Sequence, residues 1–152
     1  MMKTFNIWWG TSENPQLSNL AKRRFSHDGY YYETVEHAYQ TLKSGKFDAR
    51  TYYRTWKAGT KHIGLRADRK TNIALMRTLI AKSFMQNPYA LNMLMDIDYD
   101  LQITHRQDRG IWKTEFPRIL EGLRWALIAR RDDYHEENTP LTSEEFTQMF
   151  RD

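Results

Sequence analysis

Three polar side chains in residues 34–43 (TVEHAYQTLK) have types and spacing that could do chemistry. Glu36, Gln40 and Lys43 are four and then three residues apart. At roughly 100° per residue they fall on one face of a helix. Val35, Ala38 and Leu42 fall on another face, suited to a core. A carboxylate can stabilise positive charge or take a proton, and an amine can bind phosphate or attack a carbonyl carbon. Glu36 and Lys43 stand two turns apart, roughly 10 Å along the axis, beyond the reach of the usual helical salt bridge. Local helix support therefore does not explain the pair. Spacing alone leaves two readings, a solvated face or the wall of a site.

Two other stretches carry candidates. Asp108-Arg109-Gly110-Ile111-Trp112 lies in a segment with little periodicity. Trp112 can plug the core while Asp108 caps a turn, or the two can form a carboxylate beside a flat stacking surface, as a base or sugar site needs. Leu17-Ser18-Asn19-Leu20 precedes Lys22-Arg23-Arg24. Ser18 and Asn19 can make a turn, or hold a ribose or phosphate next to the basic run.

The elements that must position these residues follow from pattern. Residues 3–8 alternate like a strand. Asp28-Gly29 between FSH and YYY is a two-residue hairpin signal. Thr34 can cap the helix that carries Glu36, with Ser44-Gly45 ending it. Asp48 can cap a second helix reaching about Ala58. Ile73, Met76, Leu79, Ile80 and Phe84 give a helical period. Asn87-Pro88 opens a further helix to about Met95. Residues 101–104 suit a short strand. Pro117 suits the first turn of a helix to about Arg131, with Ile119, Leu120, Leu123 and Leu127 inward. Thr142 and Glu145 form a capping box, followed by Phe146, Met149 and Phe150 on one face. The expectation is an α+β fold, predominantly helical with a few short strands. It comprises a body over residues 1–134 and an acidic tail over 135–152 with a short docking helix.

Composition narrows the function classes. The 152 residues suit one domain, and five Trp, nine Tyr and seven Phe supply core material. There is no Cys, which excludes disulfides, thiolate metal sites and thiol nucleophiles. The five His residues show no metal spacing, and no Walker A, GxGxxG, HExxH or GxSxG sequence is present. No metal and no cofactor is expected. Residues 131–152 hold two basic and seven acidic residues, net −5, so residues 1–130 carry +9 of the overall +4. A basic body suits an anionic partner such as a nucleotide or nucleic acid. The stretch MMKTFNIWWGTSENP has no apolar run of a secretory signal, and no run approaches a membrane span. A cytoplasmic protein with no membrane partner is expected.

Taken in order, these pieces resemble the NADAR family, the YbiA-like N-glycosidases. The matching residues are Leu17-Ser18-Asn19, then Asp28-Gly29, then Thr34-Val35-Glu36-His37 with Gln40 and Lys43. Lys82, Phe84, Gln86-Asn87-Pro88 and Leu91 follow, with Ser83 as one extra residue, and then Asp108 and Trp112. The resemblance covers roughly residues 17–130. Family members usually follow the Trp with a glycine-rich, asparagine-containing segment, whereas here it is Lys-Thr-Glu-Phe-Pro-Arg. The resemblance implies a YbiA-like single domain that cleaves an N-glycosidic bond. The substrate would be a ribosyl or ADP-ribosyl nucleobase adduct: ADP-ribosylated guanine in DNA, or a phosphoribosylamino intermediate of riboflavin synthesis. It implies Glu36, Lys43 and Asp108 as catalytic groups. Ser18, Asn19, Gln40 and Trp112 would bind substrate. The alternative is a catalytically inactive module binding nucleotides, ADP-ribose or nucleic acid.

Overall fold

The computed structural model describes residues 3–54 and 65–134, without the side chains of 132–134. The far end of the second helix and the 135–152 tail, with its expected capping box and docking helix, lie outside the described residues.

Strand β1 (Lys3–Asn6) pairs in parallel with β4 (Leu101–Thr104), in the register Lys3↔Leu101 to Asn6↔Thr104. A parallel pair needs a long crossover, and the rest of the body between them supplies it. The expected strand through Trp8 stops at Asn6, and Trp8 instead bridges back to Glu13. Strands β2 (Phe25–His27) and β3 (Tyr30–Tyr32) form an antiparallel hairpin. Asp28 and Gly29 take φ values of 49° and 86°, the left-handed pair that a tight hairpin turn requires.

Helix α1 (Val35–Leu42) starts as its sequence dictates: Thr34 is extended and its hydroxyl accepts the His37 N–H at 3.0 Å. Asp48 accepts the Thr51 N–H at 2.8 Å and opens α2 (Ala49–Arg54). Helices α3 (Asn72–Met85) and α4 (Pro88–Met95) follow. Met76, Leu79, Ile80 and Phe84 are buried as their spacing demands, while Ile73 is only half-buried. One core gathers Ile7, Leu17, Val35, Leu79, Phe84, Leu94 and Leu120. The fold is mixed, mostly helical with a few short strands. Among the described residues no helix is long and apolar enough to cross a membrane.

Helix α5 differs from expectation. It runs Trp112–Tyr134, so Trp112 opens it and Pro117 lies inside. The Asp108 carboxylate accepts the Gly110 N–H at 2.8 Å, and the Gly110 and Ile111 carbonyls accept the first-turn N–H groups of Lys113, Thr114 and Glu115. Those bonds start the helix five residues before the proline. An interior proline costs about 3 kcal/mol in a helix. Phe116 and Leu120, both buried, offset that at about 1.5–3 kcal/mol each.

The middle of the same helix fixes β4. Arg124 is fully buried and donates from Nη2 to the Ile97 and Asp98 carbonyls at 2.8 and 2.7 Å. Glu121 accepts the Ile103 N–H at 2.9 Å. Residues 105–112, which follow β4, are thereby held from both sides.

Candidate active site

Six of the seven candidate residues line one cavity of about 460 Å³: Ser18, Asn19, Glu36, Gln40, Asp108 and Trp112. Its first wall is α1. Gln40 is 7% exposed and Lys43 6%, so this helix face is no solvated surface. Glu36 sits in the first helical turn, where the helix dipole favours an anion. Its N–H donates to the Asn19 carbonyl at 3.0 Å, tying the Ser18-Asn19 turn to the start of the helix. Gln40 donates from Nε2 to Glu36 Oε1 at 2.7 Å. That bond fixes the amide's orientation, because a flip would set oxygen against carboxylate. Gln40 Oε1 is then a buried acceptor without a partner among the described residues, and so is Asn19 Oδ1. A buried unpaired acceptor is costly, and both of these belong to residues that line the cavity.

Ser18 is already employed in its turn. Its hydroxyl accepts the Leu20 N–H at 3.1 Å and its carbonyl accepts Arg23 Nη1 at 2.7 Å. The hydroxyl proton is what it can offer a ligand.

Lys43 is the candidate that the structure does not bring to the cavity. It is the C-cap of α1, and it is not among the lining residues. Burial pulls its amine below the ordinary lysine value, and the nearby Glu36 charge opposes that shift. The amine therefore stands within electrostatic range of Glu36.

The opposite wall comes from residues 105–116. The Trp112 ring meets Tyr39 edge-on, with centroids 5.4 Å apart. Burial raises the Tyr39 hydroxyl pKa, the Asn72 hydrogen bond lowers it, and the Glu36 charge raises it again. Asp108 Oδ2 lies 3.4 Å from His105 Nε2. The other ring nitrogen, Nδ1, donates to the Ile7 carbonyl at 2.8 Å. With its hydrogen fixed on Nδ1 by that carbonyl, the ring turns Nε2 toward the Asp108 carboxylate. Phe116 and Trp8 pack on the His105 ring, at centroid distances of 4.7 and 5.1 Å.

The sequence reading missed His105, Trp8, Trp9 and Phe116 as wall residues. Only His105 carried a signal, its place three residues before Asp108. His37, by contrast, is a satisfied core group. It donates from Nε2 to the Tyr52 carbonyl at 2.8 Å, and burial holds its pKa below the ordinary histidine value.

A second, larger cavity of about 690 Å³ meets this one at Trp9, and no carboxylate lines it among the described residues. No protein-family model, no curated protein and no solved structure matches this chain.

Proposed function

We propose that the protein is an N-glycosidase that hydrolyses a ribosyl or ADP-ribosyl nucleobase adduct in the Glu36–Asp108 cavity. One observation carries the reading: two carboxylates line a single aromatic-walled cavity, and an unpaired Gln40 acceptor lies beside one of them. Breaking a C1–N bond builds oxocarbenium character on the sugar, which a carboxylate stabilises. Glu36 takes a proton from water as its oxygen bonds to C1. The C1–N electron pair leaves with the base, and Asp108, with His105 behind it, supplies the proton that the base nitrogen needs. Gln40 aims the Glu36 carboxylate and accepts a sugar hydroxyl, with Asn19 and Ser18 beside it. Trp112 stacks on the base.

Lys43 has a different part from direct attack. Its amine is buried off the cavity wall, so water is the nucleophile and the lysine charge steadies Glu36. Borohydride added during turnover therefore leaves Lys43 unmodified; a reduced sugar adduct there would give the first step to the amine.

The test is product release from ADP-ribosylated guanine DNA and from phosphoribosylamino pyrimidines. Wild type releases free base, and Glu36→Gln does not. Equal traces from both would sink the reading. A module that binds nucleotides, ADP-ribose or nucleic acid without turnover is the second reading, favoured by the position of Lys43. It predicts ADP-ribose binding with no product from any variant.

A further inference from the structure

Arg23 is an unusual cation. It is 3% exposed, yet among the described residues no carboxylate contributes to its environment, and burial pulls its pKa to about 9. It stays charged at neutral pH. Its guanidinium lies 4.3 Å over the Phe84 ring. Nε donates to Ser83 Oγ at 3.2 Å, and Nη1 donates to the Gln16 and Ser18 carbonyls at 2.9 and 2.7 Å. Those bonds clamp the 16–18 turn to α3. Nη2 is buried with no partner among the described residues. The clamp explains neither the missing counter-charge nor the idle donor, because buried charges are ordinarily paired.

The second cavity, which Arg23 lines, also holds the start of α4 through Asn87, Pro88, Tyr89 and Ala90. A helix start leaves N–H groups that a side-chain cap ordinarily satisfies. Here Asn87 makes no cap bond, and the first turn has no acidic residue. The Asn87 amide is spent elsewhere, donating to the Arg24 and Ser83 carbonyls at 3.0 and 2.7 Å. The Tyr89 and Ala90 N–H groups have no partner among the described residues. Lys22 adds an exposed ammonium, and Trp9 and Tyr89 add half-exposed to exposed rings. An open helix start, a buried guanidinium without a counter-ion among the described residues and an exposed ammonium in one cavity are the elements of an anion site.

We propose that this second cavity binds a phosphate group. Lys22 and the Tyr89 and Ala90 N–H groups contact it, Arg23 supplies the fixed charge, and the aromatic rings flank the organic body that carries it. The volume of about 690 Å³ exceeds what a bare phosphate fills. Because Trp9 lines both cavities, the phosphate can belong to a separate ligand or to the far end of one that also occupies the Glu36 cavity.

The test is an amide NMR titration with inorganic phosphate at constant ionic strength, with chloride as control. Phosphate shifts the Tyr89 and Ala90 amides and chloride does not. Lys22→Ala weakens binding roughly tenfold, as loss of one charge-assisted contact predicts. Gln16→Glu, which sets a carboxylate on the exposed rim, weakens it too. Both variants change exposed residues, so neither depends on Arg23→Gln folding. Unmoved amides, equal shifts with chloride, or wild-type affinity in both variants would overturn the site. ADP-ribose identifies the source. One dissociation constant for the Tyr89 amide and the Trp112 indole marks a single spanning ligand. Shifts at Trp112 alone mark a separate phosphate ligand. Glu36→Gln binds inorganic phosphate as wild type does, so this result stands or falls apart from glycosidase activity.

Discussion

The two cavities that meet at Trp9 are built on two helix starts with opposite finishing. At α1 the start is closed: Thr34 caps it, Asn19 accepts the Glu36 N–H, and Glu36 itself brings negative charge to the first turn. At α4 the start is open, with no side-chain cap and no acidic residue, beside a buried guanidinium. The same positive end of a helix dipole is used to hold a carboxylate in one place and left available for an anion in the other. One cavity thereby holds a carboxylate, which the proposed glycosidase uses at the anomeric carbon; the other presents the open helix start on which the proposed phosphate site rests.

The largest effect expected from breaking this contrast is at Glu36. Glu36→Gln keeps the shape of the wall and removes the base, so kcat falls about 10²- to 10⁴-fold, while phosphate affinity in the second cavity holds; steady-state kinetics beside phosphate titration check both. Trp9→Ala acts on the shared wall. It weakens ligand binding by about 1–3 kcal/mol if a base or ring stacks there, and calorimetry with ADP-ribose against inorganic phosphate reports which side loses more. The smallest effect is a control at the hairpin, away from both cavities. His27 accepts from Lys82 at 2.8 Å. Its pKa is lowered, chiefly by burial and then by the Lys82 charge, with Asp28 opposing. The unfolded chain therefore takes up the proton first as the pH falls, and stability drops from just above the ordinary histidine value of about 6.5 down to the folded value. His37, lowered in the same direction, adds to the drop. His27→Gln flattens the fall of the melting temperature between neutral and mildly acidic pH without removing it, and leaves turnover at neutral pH unchanged.

The α1 side of the molecule was legible because its signals are local. Asp28-Gly29, Thr34 and Asp48 act on neighbours within four residues, and each makes the turn or cap its chemistry dictates. Gln40 and Glu36 could be placed on one face by angle alone. The α5 side was read less well. Pro117 signals a helix start, but an interior position is tolerated where Phe116 and Leu120 are buried around it. The buried charges were invisible for a related reason. Arg23 is held by the Gln16 and Ser18 carbonyls of an irregular turn and by the distant Ser83 hydroxyl, and Arg124 by the distant Ile97 and Asp98 carbonyls, and sequence spacing carries no trace of such partners. Lys43 fell on the right helical face and yet off the cavity wall, because angle around a helix does not fix depth along it. His105 became a candidate only when β4 set its ring between Trp8 and Phe116.

The most direct measurement is a crystal structure with ADP-ribose. The account predicts ribose density against Glu36 and Gln40, with the anomeric carbon facing the space between Glu36 and Asp108. Density that leaves that cavity empty, or that points the anomeric carbon away from both carboxylates, would contradict it.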